Sequence, residues 1–320
     1  EDQAGELVFT AFDGHVHRFR PRQIDLEATR RAFPRRLSET GLFANVPEHR
    51  PVAGAIPYDV NVPLWSDHAA KDRFIALPRA GEVQFDERAA WEFPVGTVLV
   101  KTFALDLNRR TPGQPRRLET RLMVHSPDGW AGYTYLWNDE QTEATLLDGA
   151  LNETYAVTSE NGVVQQDWYF PSREDCLACH TAATKFVLGL NTRQLNRDLD
   201  YGTGTANQIE HLSRLGVFQQ PAPAAAQCEA YPRWGDPNPA AELLARAYLD
   251  VHCAMCHAPS GLRGPNPDLS FHTPLAKTGL QRPPGQGRIG PEGSKLLTPA
   301  APDRSELYAR MSRRGPRQMP

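Results

Sequence analysis

The sequence predicts an α+β multidomain protein: an antiparallel β-sandwich-like domain followed by two mainly helical segments. Three observations carry that expectation. Between Tyr58 and Phe170, short runs enriched in β-branched and aromatic residues alternate with polar positions and are punctuated by Gly, Pro, Asp and Asn. After Phe170 the apolar spacing changes to a helical one. Each half of that later region also carries one copy of the pattern Cys-x-x-Cys-His, at 176–180 and at 253–257.

Taken in order, residues 1–20 hold two apolar runs around an Asp-Gly turn, a β-hairpin signature. Residues 21–57 read as a linker with a short helix around Leu26–Phe33. The β-rich domain over 58–170 contains the strand candidates DVNVPLW, RFIALP, EVQFD, TVLVKTFAL, RRLETRLMV, GWAGYTYLW, EATLL, TYAVT and VVQQDWYF. Trp65, Trp91, Trp130, Trp137 and Trp168 fall within it, and most of them are expected in the core. Pro171 ends the β pattern. The first Cys-containing segment covers 171–220, with helices expected over KFVLGLNTRQLNRDL and ANQIEHLSRLGVF. The second of these shows Ile209, Leu212 and Leu215 on one face. Residues 221–238, with their Pro/Ala stretch, form a linker. The last segment, 239–320, opens on PAAELLARAYLDVHCAMCH, one amphipathic helix running straight into the second motif. A Gly/Pro-rich loop and the helix SELYARMS follow, with Met311 expected to pack in the core.

Cys-x-x-Cys-His is the spacing of a c-type haem attachment site. Two thiols separated by two residues reach both haem vinyl groups from one helical turn, and the histidine after them supplies the proximal iron ligand. Cys176, Cys179, Cys253 and Cys256 are the candidate attachment residues, and His180 and His257 the candidate metal ligands. A helix leading into such a motif suits a class I cytochrome c-like domain at 239–320. Other uses of paired cysteines fit less well. A thioredoxin-type pair sits near a βαβ pattern, which neither motif has. A four-cysteine zinc site does not span so wide a separation and needs neither histidine. Disulfides would not select the same histidine twice. Cys228, the fifth cysteine, is expected as a buried or half-buried free thiol.

Hydrophobic content of 40% and charged content of 23% place the chain among ordinary soluble globular proteins. A net charge of −3 gives no case for a nucleic-acid partner. No apolar run reaches about 18 residues, so no membrane span is expected. Covalent haem attachment takes place outside the bacterial cytoplasm, which predicts a periplasmic or extracellular protein. The opening EDQAGE reads as a mature or excised start.

The methionines are few enough to weigh singly. Met255 lies inside the second motif and cannot cross its own haem. Met319 is held extended by the proline after it and follows the turn-rich RRGPRQ, so it is the candidate sixth ligand of the second haem. A His/Met pair raises the potential and favours electron transfer. For the His180 haem, Met123, His125, His211 and an open coordination position all stand as candidates.

The phrases "LSETGLF", "PYDVNVPLWSD", "AKDRFIALP", "WEFPVGTVLVKTF", "RRLETRL", "GYTYLWNDEQTEATLL", "CLACHT…LGLNTRQLN", "ARAYLDVHCAMCHAPSG", "DLSFHTPLAKTGL" and "SELYARMSRRGPRQMP" follow one another in order. In this succession the chain resembles a family of exported bacterial dihaem c-type cytochromes with a β-rich N-terminal region. Some members of that family are joined to a PQQ-type sugar-dehydrogenase propeller, and "DGHVHRF" is similar to the closing strands of such a propeller. The resemblance implies one haem on Cys176, Cys179 and His180, another on Cys253, Cys256 and His257, and Met319 as an axial ligand. Two features depart from it. His252 stands where an asparagine is usual, as a surface or helix residue. The chain also stops one residue after Met319, where similar chains continue into a final helix, so the last domain is expected to be truncated or covered by another chain.

These readings converge on electron transfer: single electrons pass from a dehydrogenase-type donor, a PQQ-type sugar dehydrogenase among the candidates, to a redox partner. Assembly with other cytochrome chains is compatible with this. Arg304, Arg310, Arg313, Arg314 and Arg317 could steer an acidic partner. The alternative is a dihaem peroxidase-like enzyme with an open haem at His180, which would need a Glu or Gln acid–base helper that the sequence does not identify. A carbohydrate- or partner-binding role for the β region is a third reading, without a ligand-like cluster to support it.

Overall fold

Alternation over the β-rich region produces antiparallel sheet throughout, as seen in a computed structural model that describes residues 8–10, 16–18, 33–111, 113, 115–237, 239–259, 261, 267–285 and 287–313. Strands β1 (Val8–Thr10) and β2 (Val16–Arg18) pair as the expected hairpin. A second small ribbon joins β3 (Phe43–Asn45) to β4 (Arg50–Pro51). Six strands then form an antiparallel meander in sequence order: β5 (Ile56–Pro57), β6 (Ala70–Ala76), β7 (Val98–Leu105), β8 (Arg116–Ser126), β9 (Gly129–Trp137) and β10 (Ala144–Leu146). A long hairpin of β11 (Leu151–Ser159) and β12 (Gly162–Phe170) follows, and later a short ribbon of β13 (Asp198–Asp200) and β14 (Thr205–Asn207).

The period of two gives the meander two faces. On one, Phe74, Val100, Leu122, Tyr135 and Trp137 pack against Leu37, Leu42, Phe43 and Val46 from the chain before it. The other face carries two apolar regions. Phe103 packs in a cluster with Leu105, Leu118, Val157, Trp168 and Phe170, the last three from the β11–β12 hairpin. Ile75, Leu99 and Met123 join Tyr58, Val60 and Trp91 in a cluster completed by Val187, Leu190, Leu195, Leu212, Val217 and Phe218. The region that bears the first motif therefore shares its core with the β-rich region. Amide side chains reinforce the join: Gln194 donates to the carbonyl of Val62 and accepts from its N–H, and Asn61 donates to the carbonyls of Arg193 and Asn196.

The two segments after Phe170 are not mainly helical, which corrects the expected fold class. The first has helices α1 (Arg173–Cys179), α2 (Thr192–Leu195) and α3 (Gln208–Arg214). The second has α4 (Ala241–Cys253) and α5 (Glu306–Met311). Between α4 and α5 the described residues are loop with short 3₁₀ turns, so the class I cytochrome c-like description of this segment does not hold. Sequence chemistry explains the shortfall. The helix expected over 185–199 is broken where Lys185 and Phe186 take left-handed backbone (φ 51° and 60°) and shrinks to α2. Between 273 and 303, recurrent Pro removes backbone donors that a helix needs. Met311 is half exposed, not packed in the core, and Leu215 is exposed beside the buried Ile209 and Leu212. Trp91, Trp137 and Trp168 are buried as expected, whereas Trp65 is exposed.

One buried chain of hydrogen bonds crosses the first face of the sheet. Trp137 Nε1 donates to Thr120 Oγ1 (2.9 Å), Thr120 and Thr102 hydroxyls meet at 2.7 Å, and Thr102 Oγ1 lies 2.8 Å from His49 Nε2. Each hydroxyl both accepts and donates when the chain ends on an unprotonated Nε2. Burial pushes the His49 pKa below its usual value. Because the folded-state pKa is depressed, the unfolded chain binds the proton more readily, and stability is lost as pH falls below about 6.5. The urea midpoint should therefore drop between pH 7.5 and pH 5.5, and the drop should shrink in His49→Gln. An identical pH response in the two proteins would reject this account.

Candidate cofactor-attachment site

The first motif is set by the local sequence SREDCLACH. Ser172 caps α1 by accepting from the Asp175 N–H (3.2 Å), while Asp175 accepts from the Ser172 N–H (2.9 Å) and from the Tyr169 hydroxyl (2.5 Å). The resulting turn brings Cys176, Cys179 and His180 together, and the His180 N–H closes on the Cys176 carbonyl at 3.0 Å. After a 3₁₀ turn, the left-handed residues Lys185 and Phe186 reverse the chain. That reversal places the Phe186 carbonyl 2.8 Å from His180 Nδ1. A carbonyl only accepts, so Nδ1 carries the proton and Nε2 keeps its lone pair. Burial, helped by the charges of Lys101 and Arg121, lowers the His180 pKa to about 4 despite the Phe186 hydrogen bond, so the ring is neutral near pH 7. A neutral imidazole with Nδ1–H held by a backbone carbonyl is the usual state of a metal-ligating histidine.

The motif comes closest to the sheet at Gly132. A Cβ on Gly132 of β9 would lie 2.5 Å from Cys176 Cβ, 2.6 Å from its Sγ and 3.3 Å from Met123 Sδ. Only the absence of a side chain at 132 lets α1 come this close. Met123, opposite Gly132 in the β8–β9 register, is thereby brought beside Cys176. The other candidates for the sixth position of the His180 haem have partners of their own. His125 stacks on Trp130 (4.5 Å) with Nδ1 2.9 Å from the Phe93 carbonyl. His211 stacks on Tyr201 (3.7 Å) and lines a cavity with residues 54–57 and 77–80.

The second motif ends α4. His257 and Cys256 N–H groups both donate to the Cys253 carbonyl, at 2.8 and 3.1 Å. Gly261 is required there, since its Cβ would lie 2.5 Å from the Cys256 carbonyl oxygen. His252 is more than a helix residue. Its Nδ1 bonds the Tyr248 carbonyl (2.8 Å), and its Nε2 accepts from the Trp65 N–H (2.7 Å), tying α4 to the β-rich region. Met319, Arg314 and Arg317 lie outside the described residues. Arg310 is engaged with the buried Glu306 (2.9 Å).

Although far apart in sequence, the two motifs are within electrostatic reach of each other: burial raises the Cys179 pKa and the charge of Cys256 raises it further. Burial also pushes Cys253 up to about 11. All five cysteines are free thiols, Cys228 half-buried among them, and among the described residues no group of His, Cys, Asp or Glu is arranged to hold a bare metal ion. The donor set fits covalent haem: each motif offers two thiols on one turn, followed by a histidine.

Sequence reasoning missed the wall that faces these thiols. On the same face of the sheet, Lys71, Phe103 and Glu119 form one cross-strand row, and Arg73, Lys101 and Arg121 form the next. Burial, with neighbouring positive charge, lowers Lys101 to about 7 and Lys71 to about 8. The only signal in the sequence was a Lys and an Arg at inward positions of strands whose alternate neighbours are apolar.

No known protein family, curated protein or solved structure matches the chain. Among the described residues no helix is long and apolar enough to cross a membrane. Gly132→Ala should cost roughly 1–3 kcal/mol of stability through overpacking and raise the reactivity of Cys176 toward a thiol reagent in the haem-free chain. Unchanged stability and thiol protection would show that the close approach is not needed.

Proposed function

We propose that the chain is a periplasmic or extracellular dihaem c-type electron-transfer protein, passing single electrons from a dehydrogenase-type donor to a redox partner. The observation that supports this most directly is the pair of Cys-x-x-Cys-His motifs, each with two thiols on one turn before a histidine, and Cys179 lies within electrostatic reach of Cys256. Groups anchored at thiols that feel each other's charge would be placed to exchange electrons within one molecule.

In this reading Cys176 and Cys179 hold one haem and Cys253 and Cys256 the other, each thiol S–H adding across a vinyl C=C. Bound haem supplies a one-electron iron couple. The chain contributes position and environment. The Phe186 carbonyl fixes the His180 ring and presents its Nε2, and burial of that ring keeps it neutral. His257 takes the same role at the second motif, and Met319 remains its candidate sixth ligand. A PQQ-type sugar dehydrogenase is a fitting donor, resting on the sequence resemblance alone.

The purified protein should contain two haems per chain by the alkaline pyridine spectrum, and neither should bind carbon monoxide after reduction with dithionite. A haem count other than two rejects the reading. If one haem binds carbon monoxide readily, the iron at His180 is open and the peroxidase-like alternative takes its place.

A further inference from the structure

Among the described residues, the cation wall on the sheet is only partly neutralised. Glu119, fully buried, is the carboxylate of that wall, and it is spent: Arg121 takes both oxygens (2.8 and 2.5 Å) and Trp168 Nε1 donates to one (3.1 Å). Asp59 is divided between Arg73 (2.9 Å) and Arg197 (2.8 Å). Lys71 Nζ reaches only the Ala69 carbonyl (3.1 Å), and neither Lys71 nor Lys101 has an ion-pair partner among the described residues. The Phe103 ring gathers the cations, with Arg121 at 4.4 Å, Lys71 at 5.7 Å and Lys101 at 6.0 Å from its centroid. Left unpaired and half-buried, these lysines give up their protons more readily, and an anion beside them would hold them charged, so the site suits an anion. Its position says which anion. Cys176 rests on Gly132, which pairs with Met123, and two residues along the same face of β8 stands Arg121, paired with Lys101 of β7, so the wall adjoins the first motif.

We propose that Lys71, Lys101 and Arg121 form a carboxylate-binding wall for the first motif, and that the carboxylates it takes are the two propionate groups of the haem attached there. This rests on the reading of Cys176, Cys179 and His180 as a haem site. The lysines, as mobile point charges, contact the propionate oxygens directly. Arg121, already committed to Glu119, holds the wall's field in place. A fixed cation at the haem edge disfavours the ferric state, so it holds the potential of that haem up.

The test uses the full chain with both haems attached. Lys101→Met keeps the stem and removes the charge. In a spectroelectrochemical titration it should lower one of the two midpoints by about 59 mV, a tenfold shift of a one-electron equilibrium, and leave the other unchanged. Lys101→Arg should restore the wild-type value. In the unaltered protein, adding succinate at constant ionic strength should move neither midpoint, because the wall is already occupied. No shift in Lys101→Met, or an equal shift of both midpoints, overturns the proposal. A succinate-dependent midpoint in the wild type overturns it too, since the wall would then be open to a solute carboxylate. A haem count other than two would instead reject the underlying functional reading, so the two failures are distinguishable.

Discussion

The arrangement depends on one missing side chain. At Gly132 the backbone of β9 meets the side chain of Cys176 with no room for a methyl group, and this contact seats α1 on the sheet. Everything near the first motif takes its place from that seating. Met123 comes alongside because it is the cross-strand partner of Gly132. The charges of Lys101 and Arg121, on the same face, reach the ring of His180. The loop after His180 can return its Phe186 carbonyl to the imidazole only through two residues in left-handed backbone, a cost the surrounding core supports.

The environment of the first motif is thus a β-sheet, not a helical bundle. A sheet offers rows of side chains at fixed spacing, and this one uses them unevenly. Apolar residues close the face at its ends, around Leu99 and Met123 on one side and Phe103 and Leu105 on the other. Charged residues occupy the stretch between. In water such a row would be screened; half-buried, its field is carried to nearby groups with much less loss.

Much of this was readable in the sequence, for identifiable reasons. The motifs were legible because their chemistry demands fixed spacing. Strands β6 to β9 were legible because alternation over TVLVKTFAL and RRLETRLMV is strong. What failed was tertiary. A helix over 185–199 follows from its apolar spacing, but the carbonyl that holds His180 demands a reversal at Lys185 and Phe186. The helical reading of the final segment came from its motif and underweighted its prolines. Lys101, Glu119 and Arg121 escaped notice because alternation assigns charged positions to solvent, and nothing local shows that this face is covered. His252 was placed as a surface or helix residue, since its partner, the Trp65 N–H, is 187 positions away.

That last bond bears on how the molecule is made. The meander forms from neighbours in sequence, whereas α4 docks through a contact that closes a very long loop, and contacts of high sequence separation are the slow ones. The sheet can therefore be complete before α4 is docked, and the last segment then joins a surface that has already formed.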